Sequence, residues 1–170
     1  MRGSGYKKSM GALQSHLQQV EDVLLAGLAR DGGLYVPESW PQFSENQIRS
    51  FRGLSYQGLA VKIMMPFLGG AIPETDFQAM VEDSYTQFDD PAIAPIKQIG
   101  TNMWIAELFH GPTLAFKDYP LQLVGRLFDY VLKKRGERAT IVGATSGDTG
   151  SAAIESCRDR DAIEIFIIHP

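Results

Sequence analysis

Residues 139–170 read ATIVGATSGDTGSAAIESCRDRDAIEIFIIHP, and this stretch decides the fold. ATIVGAT is short and apolar with β-branched residues, as a buried strand should be; TGSAAIESCRDR carries helical spacing, and AIEIFIIHP returns to strand character. A strand, a helix and a second strand in that order form a crossover unit, which makes the two strands parallel when they share a sheet. Working outward, NMWIAELF (102–109) reads as a further strand. TLAFKDYPLQLVGRLFDYVLKKRG (113–136) reads as a helix, with the apolar repeat Leu121, Val124, Leu127, Phe128, Val131 and Leu132 and a closing Gly136. Strands alternating with helices predict an α/β fold built on a parallel sheet.

The earlier part of the chain has a different texture. VEDVLLAGLARDGG reads as a short helix from Val20 stopped at Gly32-Gly33, and LYVP as a brief extended piece. Ser44 followed by Gln47 forms a capping box for a helix to about Phe51. Leu59, Ile63 and Phe67 trace a face of the next helix, which Pro66 kinks or ends. Pro73 opens another, in which Phe77, Met80, Val81 and Ser84 share a face. Residues 20–88 therefore read as a small, mainly helical domain. DDPAIAPIKQIG, with two prolines and paired aspartates, marks the boundary near 89–95, and 89–170 begins the α/β domain. Residues 1–19 carry no acidic residue and no apolar signal core, and read as an atypical leader or extension.

Composition bounds the function. The chain has 170 residues, 44% hydrophobic and 21% charged, which suits a globular protein with a sizeable core. A net charge of −4 supplies no basic footprint for nucleic acid. Lys133, Lys134, Arg135 and Arg138 fall where cations favour a helix end and read as a solvated face. One cysteine, Cys157, cannot form an internal disulfide, so a reducing, cytoplasmic setting is expected, with Cys157 a small core residue. No apolar run has the length to span a bilayer, and His16, His110 and His169 lack metal-ligand spacing. No nucleic acid, membrane or metal is expected as a partner.

In open α/β sheets, ligands bind beyond the carboxyl ends of the strands, where loops lead into helix N-termini. His110 to Lys117 and Thr145 to Ser151 both occupy that position and should lie side by side. ATSGDTGS pairs glycines with hydroxyls and free amides at a helix start, which suits a carboxylate or phosphate, yet it matches neither a Walker A loop nor G-x-G-x-x-G. Its ordinary reading is a strand-to-helix turn with Ser146 or Asp148 as N-cap. Asp148 is out of place in a pure anion site and points to a ligand of mixed polarity. Lys117 stands beside Phe116 near an apolar sheet, where desolvation favours a neutral amine that attacks an aldehyde. A cation at a helix N-terminus is electrostatically disfavoured, which argues for a functional reason against the plain reading of a surface lysine. His110, before Gly-Pro, reads as a loop residue with a structural hydrogen bond.

ELFHGPTLAFKDYPLQL (107–123), with GATSGDTGSAAIES (143–156) after it and EDVLLAGLARDGGLYVPESWP (21–41) before it, resembles the threonine synthase family from about Val20 to Pro170. The resemblance implies a fold-type-II, tryptophan-synthase-β-like enzyme dependent on pyridoxal 5'-phosphate. It implies conversion of O-phosphohomoserine and water to threonine and phosphate, in threonine biosynthesis. By the same resemblance Lys117 is the Schiff-base lysine and the proton carrier, and Ser146, Gly147, Asp148 and Thr149 form the turn facing cofactor and substrate; related enzymes often hold asparagine where this chain has Asp148.

The match also has departures. The family usually opens on a short strand with a Ser-Thr-Arg-Gly-like segment, and residues 1–19 show nothing similar. Its phosphate-gripping glycine-rich loop and the residue facing the pyridine nitrogen lie farther along than Pro170. The expectation is an incomplete catalytic domain with weak cofactor binding and little turnover alone, exposing apolar sheet near Ile163 to Ile168 and self-associating through it. Two other readings stay open at this level: a threonine-synthase-like phospholyase releasing a ketoacid, and a truncated non-catalytic paralogue acting as a binding module.

Overall fold

The computed structural model describes residues 6–8 and 19–170, so most of the stretch read as a leader lies outside the described residues. The chain forms two compact units, residues 1–78 and 79–170; the break falls inside a helix, ahead of the proline-rich 89–95 segment.

In the first unit, strand β1 (Tyr6–Lys8) pairs antiparallel with β2 (Tyr35–Pro37), Lys7 opposite Val36. Helix α1 (Val20–Ala26) stops ahead of the Gly32-Gly33 pair expected to close it, because Gly27 takes φ +64° and its N–H reaches the Val23 carbonyl. Gly32 and Gly33 serve a separate tight turn, in which Gly32 donates to the Ala29 carbonyl and Gly33 to Asp31 Oδ1. Helix α2 (Glu45–Ser50) carries the expected capping box: Gln47 N–H donates to Ser44 Oγ and Ser44 N–H to Gln47 Oε1. Helix α3 (Tyr56–Leu68) accommodates Pro66 in its last turn and ends at Gly69. Its buried side chains are Val61 and Leu68, whereas Ile63 is exposed. This helix is apolar on nearly every side, so spacing alone does not select the buried face. Helix α4 (Glu74–Ser84) follows Pro73 as expected and buries Phe77, Val81 and Ser84 almost completely.

The second unit contains the α/β arrangement. Strand β3 (Ile96–Gly100) pairs antiparallel with β4 (Met103–Ala106), with a register shift between Gln98 and Gly100. The strand expected at 102–109 therefore belongs to a hairpin, not to the parallel sheet. Only two residues separate β3 from β4, so the local pairing closes at little entropic cost. Helix α5 (Asp118–Arg135) leads through Gly136 into β5 (Ala139–Ala144), and α6 (Asp148–Cys157) into β6 (Ile163–Ile168). β5 and β6 are parallel and in register from Ala139↔Ile163 to Ala144↔Ile168, which gives the expected crossover unit.

Helix α5 tolerates Pro120 because the ring sits in the first turn, where a backbone N–H would have no intrahelical partner. Its buried residues include Gln122, Arg126 and Asp129 beside Leu123, Val131 and Leu132, so the burial does not follow the apolar repeat read from the sequence. Arg126 and Asp129 have distant partners, and Gln122 accepts from Arg126 Nη1 through Oε1 and through its carbonyl. Arg126 donates through Nε to Asp83 Oδ2 and through Nη2 to the Asp83 carbonyl, and Asp129 Oδ1 accepts from the Ala162 N–H at 3.0 Å. Lys133 bridges Asp129 and Asp161 at 2.9 and 2.8 Å. Cys157 is buried, as expected, and burial pushes its thiol up. Among the described residues no helix is long and apolar enough to cross a membrane, and no cluster of His, Cys, Asp and Glu could hold a metal.

Candidate active site

Both helices of the crossover arrangement start at the same end. α5 lies along α6 and α6 packs on β6, and each helix leads directly into one of two parallel strands, so the helices run the same way. They meet where Gly125 lies on the Ser156 backbone. Farther along, Asp129 and Lys133 of α5 reach Ala162 and Asp161 just past α6, so the two helices keep company toward their C-termini. At 1.5 Å per residue the α5 and α6 N-termini stand about 10 and 12 Å from that crossing, on the same side of it. The loop carrying Lys117 and the turn Thr145–Ser151 thus flank one end of the sheet.

Lys117 occupies the N-cap of α5 with helical backbone angles (φ −62°, ψ −22°) and makes no capping bond. Its ammonium lies 4.4 Å from the centroid of the Phe116 ring, a cation–π contact. The side chain is half-buried and has no hydrogen bond or ion pair among the described residues. That is an amine held next to apolar surface and left available.

In the second turn, Ser146, Asp148 and Thr149 are exposed and Gly147 is half-buried. Neither Ser146 nor Asp148 caps α6, contrary to the ordinary reading of this turn; Gly147 holds the N-cap and no side chain accepts from the first helical amides. Those amides have no intrahelical partner, which leaves donors and a favourable helix dipole facing outward. Gly150 is required by packing. A Cβ there would stand 2.7 Å from Thr145 Cγ2 and 3.2 Å from Ile167 Cγ2, so only glycine lets the turn sit this close to the end of the sheet.

Three groups besides Lys117 hold its loop: Asp118, Thr113 and Gly111. Asp118 is fully buried, and its carboxylate accepts from Thr113 N–H through Oδ2 and from Thr113 Oγ1 through Oδ1, both at 2.8 Å. Gly111 lies against it: an added Cβ would be 2.5 Å from both Asp118 Cβ and Oδ2. An aspartate directly after Lys117 in sequence is placed to tune it, and the structure adds its grip on Thr113, five residues earlier.

His110 does have the structural hydrogen bond expected of it, and more. Its Nδ1 lies 2.7 Å from Asp89 Oδ1 and its Nε2 3.0 Å from Glu107 Oε2, while Lys97 Nζ approaches Glu107 Oε1 at 2.8 Å. Two carboxylates on opposite ring nitrogens favour the doubly protonated imidazole. The Glu107 hydrogen bond, with Asp89 adding to it and desolvation opposing, raises His110 above its ordinary 6.5. Lys97 first and His110 second hold Glu107 below the usual carboxylate range.

Residues 8–85 match the family described as the threonine synthase N terminus. The chain is 60% identical over 150 residues to the threonine synthase of Pseudomonas aeruginosa, covering 88% of this chain and 32% of that one. It is 42% identical over 164 residues to the threonine synthase of Saccharomyces cerevisiae, with the same shares. Among solved structures, it superimposes on a PLP-bound threonine synthase from Brucella melitensis with a TM-score of 0.94 and 53% identity, over 98% of this chain and 36% of that chain. A yeast threonine synthase structure gives 0.91 and 37%, over 98% of this chain and 35% of its own. The chain thus spans about a third of the length of the relatives it matches.

Proposed function

Because the chain belongs to the threonine synthase family and has the fold of the N-terminal portion of those enzymes, we propose that it supplies part of a pyridoxal-phosphate site for converting O-phosphohomoserine and water to threonine and phosphate. The observation that carries this reading is the pairing of an amine without a carboxylate partner among the described residues, at Lys117, with an uncapped helix turn at Ser146, Gly147, Asp148 and Thr149 on the same end of the sheet.

The residues present fit the cofactor. Lys117 offers the amine that would hold its aldehyde carbon, and the turn from Ser146 to Thr149 offers amides, hydroxyls and one carboxylate to its polar groups and to the substrate. Pyridoxal phosphate, when bound, supplies an electron sink that makes the α and β protons of an amino-acid substrate acidic. Lys117 then takes and returns protons at the substrate's α carbon, as a general base and acid. Phe116, with its ring centroid 4.4 Å from the Lys117 ammonium, shields one side of the amine from water. We further propose a cytoplasmic setting, and self-association through the open face of β5 and β6, where Val142, Phe166 and Ile168 are exposed.

The test is chemical. The chain is incubated with pyridoxal phosphate, reduced with borohydride and mapped by peptide mass spectrometry, with Lys117→Ala as control. An adduct confined to Lys117 is expected; label scattered over surface lysines and unchanged by the substitution would overturn the assignment. Product analysis with O-phosphohomoserine then separates threonine from a ketoacid.

A further inference from the structure

We propose that Asp118 is the positioning residue for Lys117, closing the loop from Gly111 to Asp118 so that the lysine amine has one presentation at the start of α5; this rests on the reading of Lys117 given above.

The carboxylate is fully buried, yet among the described residues no cation lies within ion-pairing distance of it. Burying a charge without a countercharge is expensive, and the partners it has come from one residue of its own loop. Thr113 uses its backbone N–H and its hydroxyl on the two carboxylate oxygens, both at 2.8 Å, so rotation of the carboxylate is blocked. Asp118 stands in the first turn of α5, where the helix dipole favours a carboxylate.

The loop so closed holds strain. Leu114 has φ +60°, a conformation that costs a branched residue free energy, while its side chain is exposed and gains nothing from packing. Such a conformation persists only where neighbouring contacts impose it. Here they are the Leu114 N–H to the Gly111 carbonyl, the Asp118 N–H to the Ala115 carbonyl, and the two Thr113 bonds to Asp118. Gly111 completes the closure, because any side chain at that position would displace the carboxylate. Lys117 is the residue immediately before the brace. A surface loop with no task for its lysine would gain by relaxing Leu114 and exposing Asp118 to water.

The experiment compares the unsubstituted chain with Asp118→Ala, Asp118→Asn and Thr113→Val in two readouts. The first is the fraction of borohydride-trapped pyridoxal phosphate found on Lys117. The second, without cofactor, is trace acetylation by acetic anhydride at Lys117 relative to exposed Lys134. Loss of two charge-assisted hydrogen bonds in Asp118→Ala should lower the Lys117-specific adduct about tenfold or more and change the acetylation ratio. Asp118→Asn should stay within about threefold, because an amide of the same shape accepts from the Thr113 N–H and donates to Thr113 Oγ1. Thr113→Val, which loses only the hydroxyl bond, should fall between them and serves if Asp118→Ala does not fold. A folded Asp118→Ala that labels like the unsubstituted chain overturns the proposal, and so does an Asp118→Asn as impaired as the alanine variant. Should pyridoxal phosphate select no lysine even in the unsubstituted chain, the cofactor reading fails, and the acetylation ratio still decides whether Asp118 positions Lys117.

Discussion

Gly125→Ala should be destabilising although alanine is the better helix former. An added Cβ would overlap the Ser156 carbonyl oxygen and lie 3.0 Å from its carbon and 3.2 Å from Ser156 Cβ. The obstacle is backbone on α6, so no rotamer change relieves it, and the helices must separate. Overpacking of this kind costs about 1–3 kcal/mol, and a rigid backbone obstacle belongs at the upper end. Exchanging glycine for alanine inside a helix returns about 1 kcal/mol. The net expectation is a loss of about 2 kcal/mol, read as a lower urea midpoint at unchanged slope. Since the Gly125 contact also sets the spacing of the α5 and α6 N-termini, the same variant should trap less pyridoxal phosphate on Lys117. Gly136→Ala is the control: it has φ +67° and nothing within 4 Å of an added Cβ, so it should cost about 1 kcal/mol through backbone strain and leave the labelling pattern alone. A Gly125→Ala variant as stable as the parent, or more so, would refute the view that close helix approach organises this end of the sheet.

Two further outcomes follow from the charge state of particular groups. His110 is raised above 6.5 in the folded chain by its Glu107 and Asp89 partners, so its contribution is complete below 6.5 and is lost as pH climbs through the higher folded value. The urea midpoint of the unsubstituted chain should therefore exceed that of His110→Gln most at about pH 6, and the gap should shrink toward about pH 9; a gap that widens with pH would contradict the imidazolium clamp. Cys157 is buried with its thiol pushed up by desolvation, so iodoacetamide should alkylate it only in denaturant, and rapid alkylation of the native chain would place it wrongly.

What could be read in advance divides by the range of the interaction. The Ser44–Gln47 box, the helix opened by Pro73, the stop at Gly136 and the β5–α6–β6 order are local signals, and they appear as read. Lys117 and the turn at 146–149 stood out for the same reason, being odd residue types at recognisable loop positions. The buried face of α5 was not legible. Arg126 and Asp129 look like solvent-facing residues until Asp83, 43 positions earlier, and the Ala162 N–H, 33 positions later, arrive to satisfy them. In α1, two glycine signals competed and the nearer one ended the helix. The β3–β4 hairpin was hidden because IKQIG sits among prolines that advertise a boundary, not a strand.

The open face of β5 and β6 separates two properties of the site that are usually found together. α6 packs on α5 and on β6, and the opposite alternation of the strands leaves Val142, Phe166 and Ile168 between 59% and 67% exposed. A parallel sheet reaches its full stability when both faces are covered, so this one is held in register by one layer of helices. That layer is sufficient to place Lys117 and the Ser146–Thr149 turn, since the contacts that align them, Gly125 on Ser156 and Asp129 on Ala162, all lie within it. It does not exclude water. Capture of an aldehyde needs only a placed amine, whereas proton transfer at carbon gains most from a dry, preorganised pocket. The chain should therefore retain more of its selectivity for trapping pyridoxal phosphate at Lys117 than of the family's turnover, and the two measurements made on one preparation would show which layer of the fold carries which property.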